Sequence, residues 1–319
     1  MIDWSTTALV FPGQNSQVVG MGADLAQAYP EAAAAYAEAD ALLGYPISEL
    51  CWRGPAEQLD ITRYTQPALF TTCVAMLRAL NALLGTVRPA YLAGHSLGEI
   101  TALVAAGALG FADGLRLVRE RGRLMQIAGE THPGAMAAII GAEVEAVERA
   151  CAQAAAETGA PVVLANDNSP GQHVISGARE ALDRAMALVK EAGAKRIIPL
   201  AVSVAGHSPL LADAAAELAQ VLDTIDFQPP AVPVIANTTA APLTDAAAIR
   251  AELAAQLTSR VRWTESVQAM RAAGVETFVE VGPKDVLTGL LRRIEKDAIG
   301  VTLNSAEALR AFTEAHRPH

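Results

Sequence analysis

Gly94-His95-Ser96-Leu97-Gly98 constrains this chain more than any other stretch, because an apolar run, Pro89 to Ala93, precedes it and a helix-compatible run opens at Glu99. A G-x-S-x-G placed between strand and helix has the form of a nucleophile elbow. The glycines admit a sharp, crowded turn, the serine hydroxyl is lifted above the ends of a sheet, and the N-terminus of the following helix faces any negative charge formed there. Ser96 needs a base close by to act. Without one, the segment is only a small-residue turn.

The 319 residues suffice for one large α/β domain, alone or with a smaller insert. Residues are 52% hydrophobic, yet the longest nearly uninterrupted apolar run, Ile100 to Phe111, is too short to span a bilayer, so no membrane partner is expected. Met1-Ile2-Asp3-Trp4 lacks a basic n-region, and Ala8 to Phe11 is strand-sized rather than a signal segment. Cys51, Cys73 and Cys151 are far apart and show no metal spacing, which fits a reduced, cytoplasmic protein without a metal site. A formal charge of −10 argues against general binding to nucleic acid or anionic membrane, so an acidic partner would need a local basic patch.

In chain order, Thr7 to Phe11 reads as a first strand, and Pro12-Gly13-Gln14-Asn15-Ser16-Gln17 as the loop leaving its end. Loops at strand ends line the ligand crevice of open α/β sheets, so backbone N–H groups around Gln14 are candidates to face Ser96. Met21 to Leu43 reads as a helix. Thr65-Gln66-Pro67 opens a second, buried one over Ala68 to Leu84, with proline in its first turn. Past the elbow, Ile100 to Gly107 and Asp113 to Ile127 are helical, and Gly122 between Arg121 and Arg123 marks close approach by another element.

Gly134 onward gives strand, helix, two strands around the loop Asn166 to Gly171, helix and strand, ending at Leu200. This β-α-β-β-α-β order is the split arrangement of a ferredoxin-like unit. The expected organisation is therefore a hydrolase-like large domain, 1–128 and 200–319, with a mostly parallel sheet and an inserted small domain, 129–199. The chain returns through Ala201 to Val204 and reaches Gly206-His207-Ser208-Pro209 at a loop-to-helix junction, which makes His207 the candidate base. His95 is expected to point away from its neighbour at so sharp a turn, and His132, His173, His316 and His319 have no distinctive setting. Arg310 to His319 is polar and expected to fray.

Taken together, Phe11-Pro12-Gly13-Gln14, Thr65-Gln66-Pro67, Gly94-His95-Ser96-Leu97-Gly98-Glu99, Arg121 to Gln126, Asn166-Asp167-Asn168 with Gly171-Gln172, His207 to Leu210, Gln256-Leu257 and Val281-Gly282-Pro283 resemble one family over nearly the whole chain. It is the malonyl-CoA:acyl carrier protein transacylase family, to which the acyltransferase domains of polyketide synthases are similar. The resemblance implies Ser96 as nucleophile, His207 as its base, the Leu97 and Gln14 N–H groups as oxyanion hole, and the main-chain carbonyl of Gln256 holding the histidine in place of an aspartate. It implies that Arg121 pairs bidentately with a free acyl carboxylate, with Gln66, Met125 and Gly206 lining the same pocket. Malonyl-CoA is then the substrate, acyl carrier protein the acceptor, and no cofactor is bound.

One departure stands out. Ala205-Gly206 precede His207 where many relatives carry a serine or a bulkier residue, which leaves room near the acyl α-carbon for a branched extender unit. Three other readings use the same residues: a serine esterase or thioesterase, the malonyl-loading subunit of a malonate decarboxylase, and a non-catalytic carrier-docking module. A cation at Arg121 would serve no hydrolase of neutral acyl groups. For carrier docking, Lys195, Arg196, Lys284, Arg292 and Arg293 are the candidate basic residues.

Overall fold

Apolar strand-sized runs alternating with Ala-rich helical runs favour a sheet buried on both faces. The computed structural model, which describes residues 2–316 apart from Ala201 and Ser203, has that arrangement. Its strands are β1 (Thr7–Phe11), β2 (Tyr91–Gly94), β3 (Gly134–Ile140), β4 (Val162–Ser169), β5 (Gln172–Ala178), β6 (Arg196–Pro199), β7 (Val234–Ile235), β8 (Pro242–Leu243), β9 (Val261–Arg262), β10 (Thr277–Val281) and β11 (Ile299–Leu303).

The first sheet has the order β11-β10-β1-β2-β7-β8. Every pairing in it is parallel except β7 with β8. All five residues of β1 are buried. Leu9 and Phe11 face the main core beneath the Thr62–Leu84 helix, while Ala8 and Val10 face a smaller core with Trp263, Met270 and Phe278. Phe11 pairs with Gly94 and Ala93 with Ile235, so β1, β2 and β7 end at one edge. The residues that follow them, Gln14, Ser96 and Asn237, come together there.

The second sheet has the order β6-β3-β5-β4-β9. Its first four strands are antiparallel and enclose a separate core of Ile139, Val147, Ile175, Leu182 and Val189. This is the split β-α-β-β-α-β arrangement, with one addition. β9, from much later in the chain, pairs in parallel with β4, Asn166 opposite Val261 and Asp167 opposite Arg262.

Several local expectations fail for identifiable reasons. Asn166 to Ser169 belongs to β4 and is not a loop, because β5 and β9 take up its backbone from both sides. The Met21–Leu43 run is two helices, Ala23–Ala28 and Pro30–Leu43, because Pro30 forces Tyr29 into an extended conformation (φ −130°, ψ 118°). The buried helix starts at Thr62, where the Thr65 hydroxyl donates to the Leu59 carbonyl at 2.6 Å, and Pro67 therefore lies inside the helix rather than in its first turn. This helix is also long and apolar enough to cross a membrane, although threonines divide its apolar run. Ala68 to Leu77 are nevertheless buried in the core.

Residues 310–316 complete the helix Ala306–His316 rather than fraying, with Phe312 edge-on to Trp4 at 6.5 Å. Residues 317–319 lie outside the described residues, as do Ala201 and Ser203 of the expected Ala201–Val204 return.

Candidate active site

Only glycine fits at either end of the turn after β2. A Cβ on Gly94 would lie 1.9 Å from the Gly98 carbonyl oxygen, and one on Gly98 would lie 2.1 Å from that of Phe11. Between them Ser96 adopts φ 52°, ψ −107°, and the Leu97–Ala105 helix starts at the next residue. Among the described residues, five that are not glycine have positive φ: Asn15, Ser96, His207, Ala240 and Lys284. Asn15, Ser96 and His207 line one cleft, and Lys284 Nζ donates to the Asn15 carbonyl at 2.9 Å. Backbone strain is thus concentrated around this cleft, as it is where a rigid surround holds functional side chains in place.

Ser96 Oγ lies 2.8 Å from His207 Nε2 and accepts a hydrogen bond from Arg121 Nη2 at 3.1 Å. His207 Nδ1 faces two main-chain carbonyls, Gln256 at 2.9 Å and Ser259 at 3.1 Å. Both only accept, so Nδ1 carries the proton and Nε2 is left to accept from the serine. Burial, and after it the Arg121 charge, pull the imidazole down to about 3, so it is neutral near pH 7.

Arg121 is 2% exposed. Its Nη1 donates to Gln66 Oε1 at 3.0 Å and its Nη2 to Gln256 Oε1 at 2.8 Å, which fixes the guanidinium plane. Burial lowers the group to about 10, against the pull of Glu99, and it stays charged at neutral pH. Gly122 lets this helix approach closely, since a Cβ there would sit 2.9 Å from the Thr62 carbonyl oxygen.

Met125 and Gly206 line the cleft, with Met136 and Asn166 opposite them on the second sheet. Met125 Sδ accepts from Gln66 Nε2 at 3.1 Å. Gln14 and Leu97 also line the cleft, and neither backbone N–H has a hydrogen-bond acceptor among the described residues. All nine residues singled out in the sequence, Gln14, Gln66, Ser96, Leu97, Arg121, Met125, Gly206, His207 and Gln256, thus lie in or directly behind one cleft. Among the described residues no group of three or more His, Cys, Asp or Glu side chains could hold a metal ion.

Residues 8–308 match the acyl transferase domain family. The chain belongs to this family. Among curated acyl transferases, it is 49% identical to the malonyl CoA-acyl carrier protein transacylase of Escherichia coli K12, covering 96% of this chain and 98% of that one. It is 47% identical to the Haemophilus influenzae protein of the same name, with the same coverage. Among solved structures, an acyl carrier protein S-malonyltransferase from Vibrio cholerae superposes with a TM-score of 0.93 at 50% identity, covering 96% of this chain and 99% of that one. A malonyl-transacylase solved in complex with a type II polyketide synthase acyl carrier protein superposes with a TM-score of 0.94 at 45% identity, covering 97% and 99%.

Parts of this acyl transferase site escaped the sequence reading. His95 also lines the cleft, its Nε2 2.8 Å from Asn168 Oδ1 and its ring against Trp263. His173 has a definite setting, buried with Nδ1 3.1 Å from Asp167 and Nε2 3.1 Å from the Ala142 carbonyl. The Gln256 side chain, and not only its carbonyl, enters the site. Its Nε2 donates to the Ser96 carbonyl at 3.1 Å and to Glu99. Glu99, 0% exposed, lies behind Ser96, its carboxyl pushed well above the usual range by burial and then by Glu252. Asn237 accepts the Ser96 N–H at 2.7 Å from 141 positions away, a separation without any sequence signal.

Proposed function

We propose that this acyl transferase moves a malonyl group from malonyl-CoA to the phosphopantetheine thiol of an acyl carrier protein by way of an ester on Ser96. The observation that carries the reading is that Ser96 Oγ is held at once by a neutral imidazole nitrogen and by a buried, charged guanidinium. The first activates a hydroxyl; the second is useful only to an acyl group with its own negative charge.

Ser96 Oγ attacks the thioester carbonyl carbon as His207 Nε2 takes its proton. The Leu97 and Gln14 N–H groups receive the resulting oxyanion, a role in which one donor is worth about 3 kcal/mol. The C–S bond then breaks, His207 returns the proton to the CoA sulfur, and a malonyl ester remains. In the second half the carrier thiol gives its proton to His207, its sulfur attacks the ester carbonyl, the C–Oγ bond breaks and Oγ recovers the proton.

A malonyl carboxylate is two carbons from the reacting carbonyl carbon and falls naturally beside a guanidinium whose nearest nitrogen is 3.1 Å from Oγ. Gln66 and Gln256 use two of the five guanidinium N–H donors; the one that reaches the free Ser96 Oγ and the two that remain are left for a forked pair with the carboxylate. The absence of a carboxylate at His207 Nδ1 among the described residues, together with Arg121, weighs against an esterase. The small unit over 129–199 supplies the Met136 and Asn166 side of the cleft. Lys195, Arg196, Lys284, Arg292 and Arg293 are exposed and offer a basic surface to an acidic carrier.

A second reading, a polyketide-type acyltransferase that accepts branched extenders, draws on Gly206. A Cβ there would meet nothing closer than Met125 Cε and Met136 Sδ, both at 3.8 Å. Intact-protein mass spectrometry with a panel of acyl-CoAs tests both readings. Malonyl-CoA should add one malonyl mass, Ser96→Ala should abolish the adduct, and carrier protein should remove it. A wild type that gains no mass would rule out the ester.

A further inference from the structure

The turn that raises Ser96 leaves two buried backbone groups without sheet partners, the Gly94 carbonyl and the Ser96 N–H. Asn237, which follows β7 and is 1% exposed, satisfies both. Its Nδ2 donates to the Gly94 carbonyl and its Oδ1 accepts the Ser96 N–H, each at 2.7 Å. The side-chain amide thereby continues the ladder of β2 by one step beyond the last true strand pair. Among the standard side chains only asparagine and glutamine carry an amide with donor and acceptor side by side, and glutamine is one methylene longer.

Asn237 is itself held by its own backbone. Its N–H donates to Glu99 Oε1 at 3.0 Å, and its carbonyl accepts from the Arg262 N–H at 2.9 Å. The other Glu99 oxygen accepts from Gln256 Nε2, which also donates to the Ser96 carbonyl, while Gln256 Oε1 accepts from Arg121. Both peptide groups of the strained serine are therefore clamped by side chains, the N–H by Asn237 and the carbonyl by Gln256, and the two clamps meet on Glu99.

We infer that Asn237 is a positioning residue for the transfer reaction: it fixes the Ser96 backbone so that the Leu97 N–H, not that of Ser96, faces the reacting oxygen, and it ties this turn through Glu99 and Gln256 to Arg121. The inference rests on Ser96 being the nucleophile. Asn237 touches no reacting atom, so its effect belongs in the rate constant of acylation rather than in substrate affinity.

Rapid-quench acylation by malonyl-CoA, read by intact mass, separates the two parts of the argument. Burst amplitude counts folded, competent sites, and the rate constant reports their geometry. Asn237→Ala is expected to lower the rate constant about 100-fold, the scale of a small misplacement of a reacting group, with the malonyl-CoA concentration dependence little changed. Asn237→Asp keeps the acceptor and loses the donor. Its rate constant should be low at alkaline pH and climb toward the wild type at mildly acidic pH, as the carboxyl gains a proton to offer Gly94. A wild-type rate constant in Asn237→Ala, with or without lost amplitude, would overturn the inference, as would one in Asn237→Asp at alkaline pH should the alanine variant yield no folded protein. An adduct that persists in Ser96→Ala would instead remove the reading beneath it.

Discussion

Replacing Arg121 with alanine should reverse acyl selectivity rather than merely reduce activity. The side chain is buried and bonded to Gln66, Gln256 and Ser96, so the substitution removes a desolvated charge whose position those contacts fix. Truncating one member of a buried, hydrogen-bonded charge pair costs about 2–5 kcal/mol. At 1.36 kcal/mol per tenfold, a middle value of about 3.5 kcal/mol corresponds to a loss of about 400-fold in kcat/KM for malonyl-CoA. Acetyl-CoA lacks the carboxylate and should lose far less, since Ser96, His207 and the two N–H donors remain. Lysine should not rescue, because a single ammonium cannot satisfy both glutamines and also grip a carboxylate with two parallel bonds. The assay is kcat/KM for both thioesters in wild type, Arg121→Ala and Arg121→Lys. If the alanine variant still prefers malonyl-CoA, another group reads the carboxylate and the assignment is wrong.

Four further outcomes follow from the geometry. Because burial and Arg121 hold the His207 imidazole at about 3, kcat/KM should show no acidic limb near the ordinary histidine value of 6.5, and a limb there would mean that the base is less enclosed than described. The same shift links to stability: a folded-state value below the unfolded one favours folding above pH 6.5, and this contribution is lost as pH falls from 6.5 toward about 3, with a slope of at most about 1.4 kcal/mol per pH unit, measurable by urea unfolding of wild type against His207→Asn. Gly98→Ala, whose Cβ would collide with the Phe11 carbonyl, should cost about 3 kcal/mol in chemical denaturation, and a neutral result would contradict the packing of the elbow. Gly206→Ala should fold normally, since its Cβ meets only ordinary contacts, and should lower any methylmalonyl-to-malonyl ratio about 10-fold; an unchanged ratio would separate this position from selectivity.

What could be read from the sequence follows from how locally each feature is encoded. Strand β1 coincides with its expected span, Thr7 to Phe11, because apolar pattern and turn residues agree there. The elbow was legible because its glycines are sterically required within five residues. The Asn166–Asn168 segment looked like a loop because its polar side chains find their partners in the cleft, on His95 and on a helix almost a hundred residues later: Thr264 Oγ1 donates to Asp167 Oδ1 at 3.0 Å across 97 positions. Asn237 and Glu99 were silent for the same reason. A lone asparagine after a two-residue strand, and a glutamate in the first turn of a helix, look like solvent-facing residues until folding removes the solvent.

The two peptide carbonyls at His207 Nδ1 bear on how an acyl enzyme of the proposed kind would outlast the surrounding water. A carboxylate in their place would supply a counter-charge to the imidazolium; carbonyl dipoles supply less, and the nearby guanidinium opposes protonation. For so weak a base, taking a proton from a thiol, whose pKa is about 8.5, is far less uphill than taking one from water at about 15.7. The acidity of the incoming nucleophile thereby becomes a filter, set by the kind of oxygen behind one imidazole nitrogen, that favours handing the acyl group to sulfur over losing it to solvent.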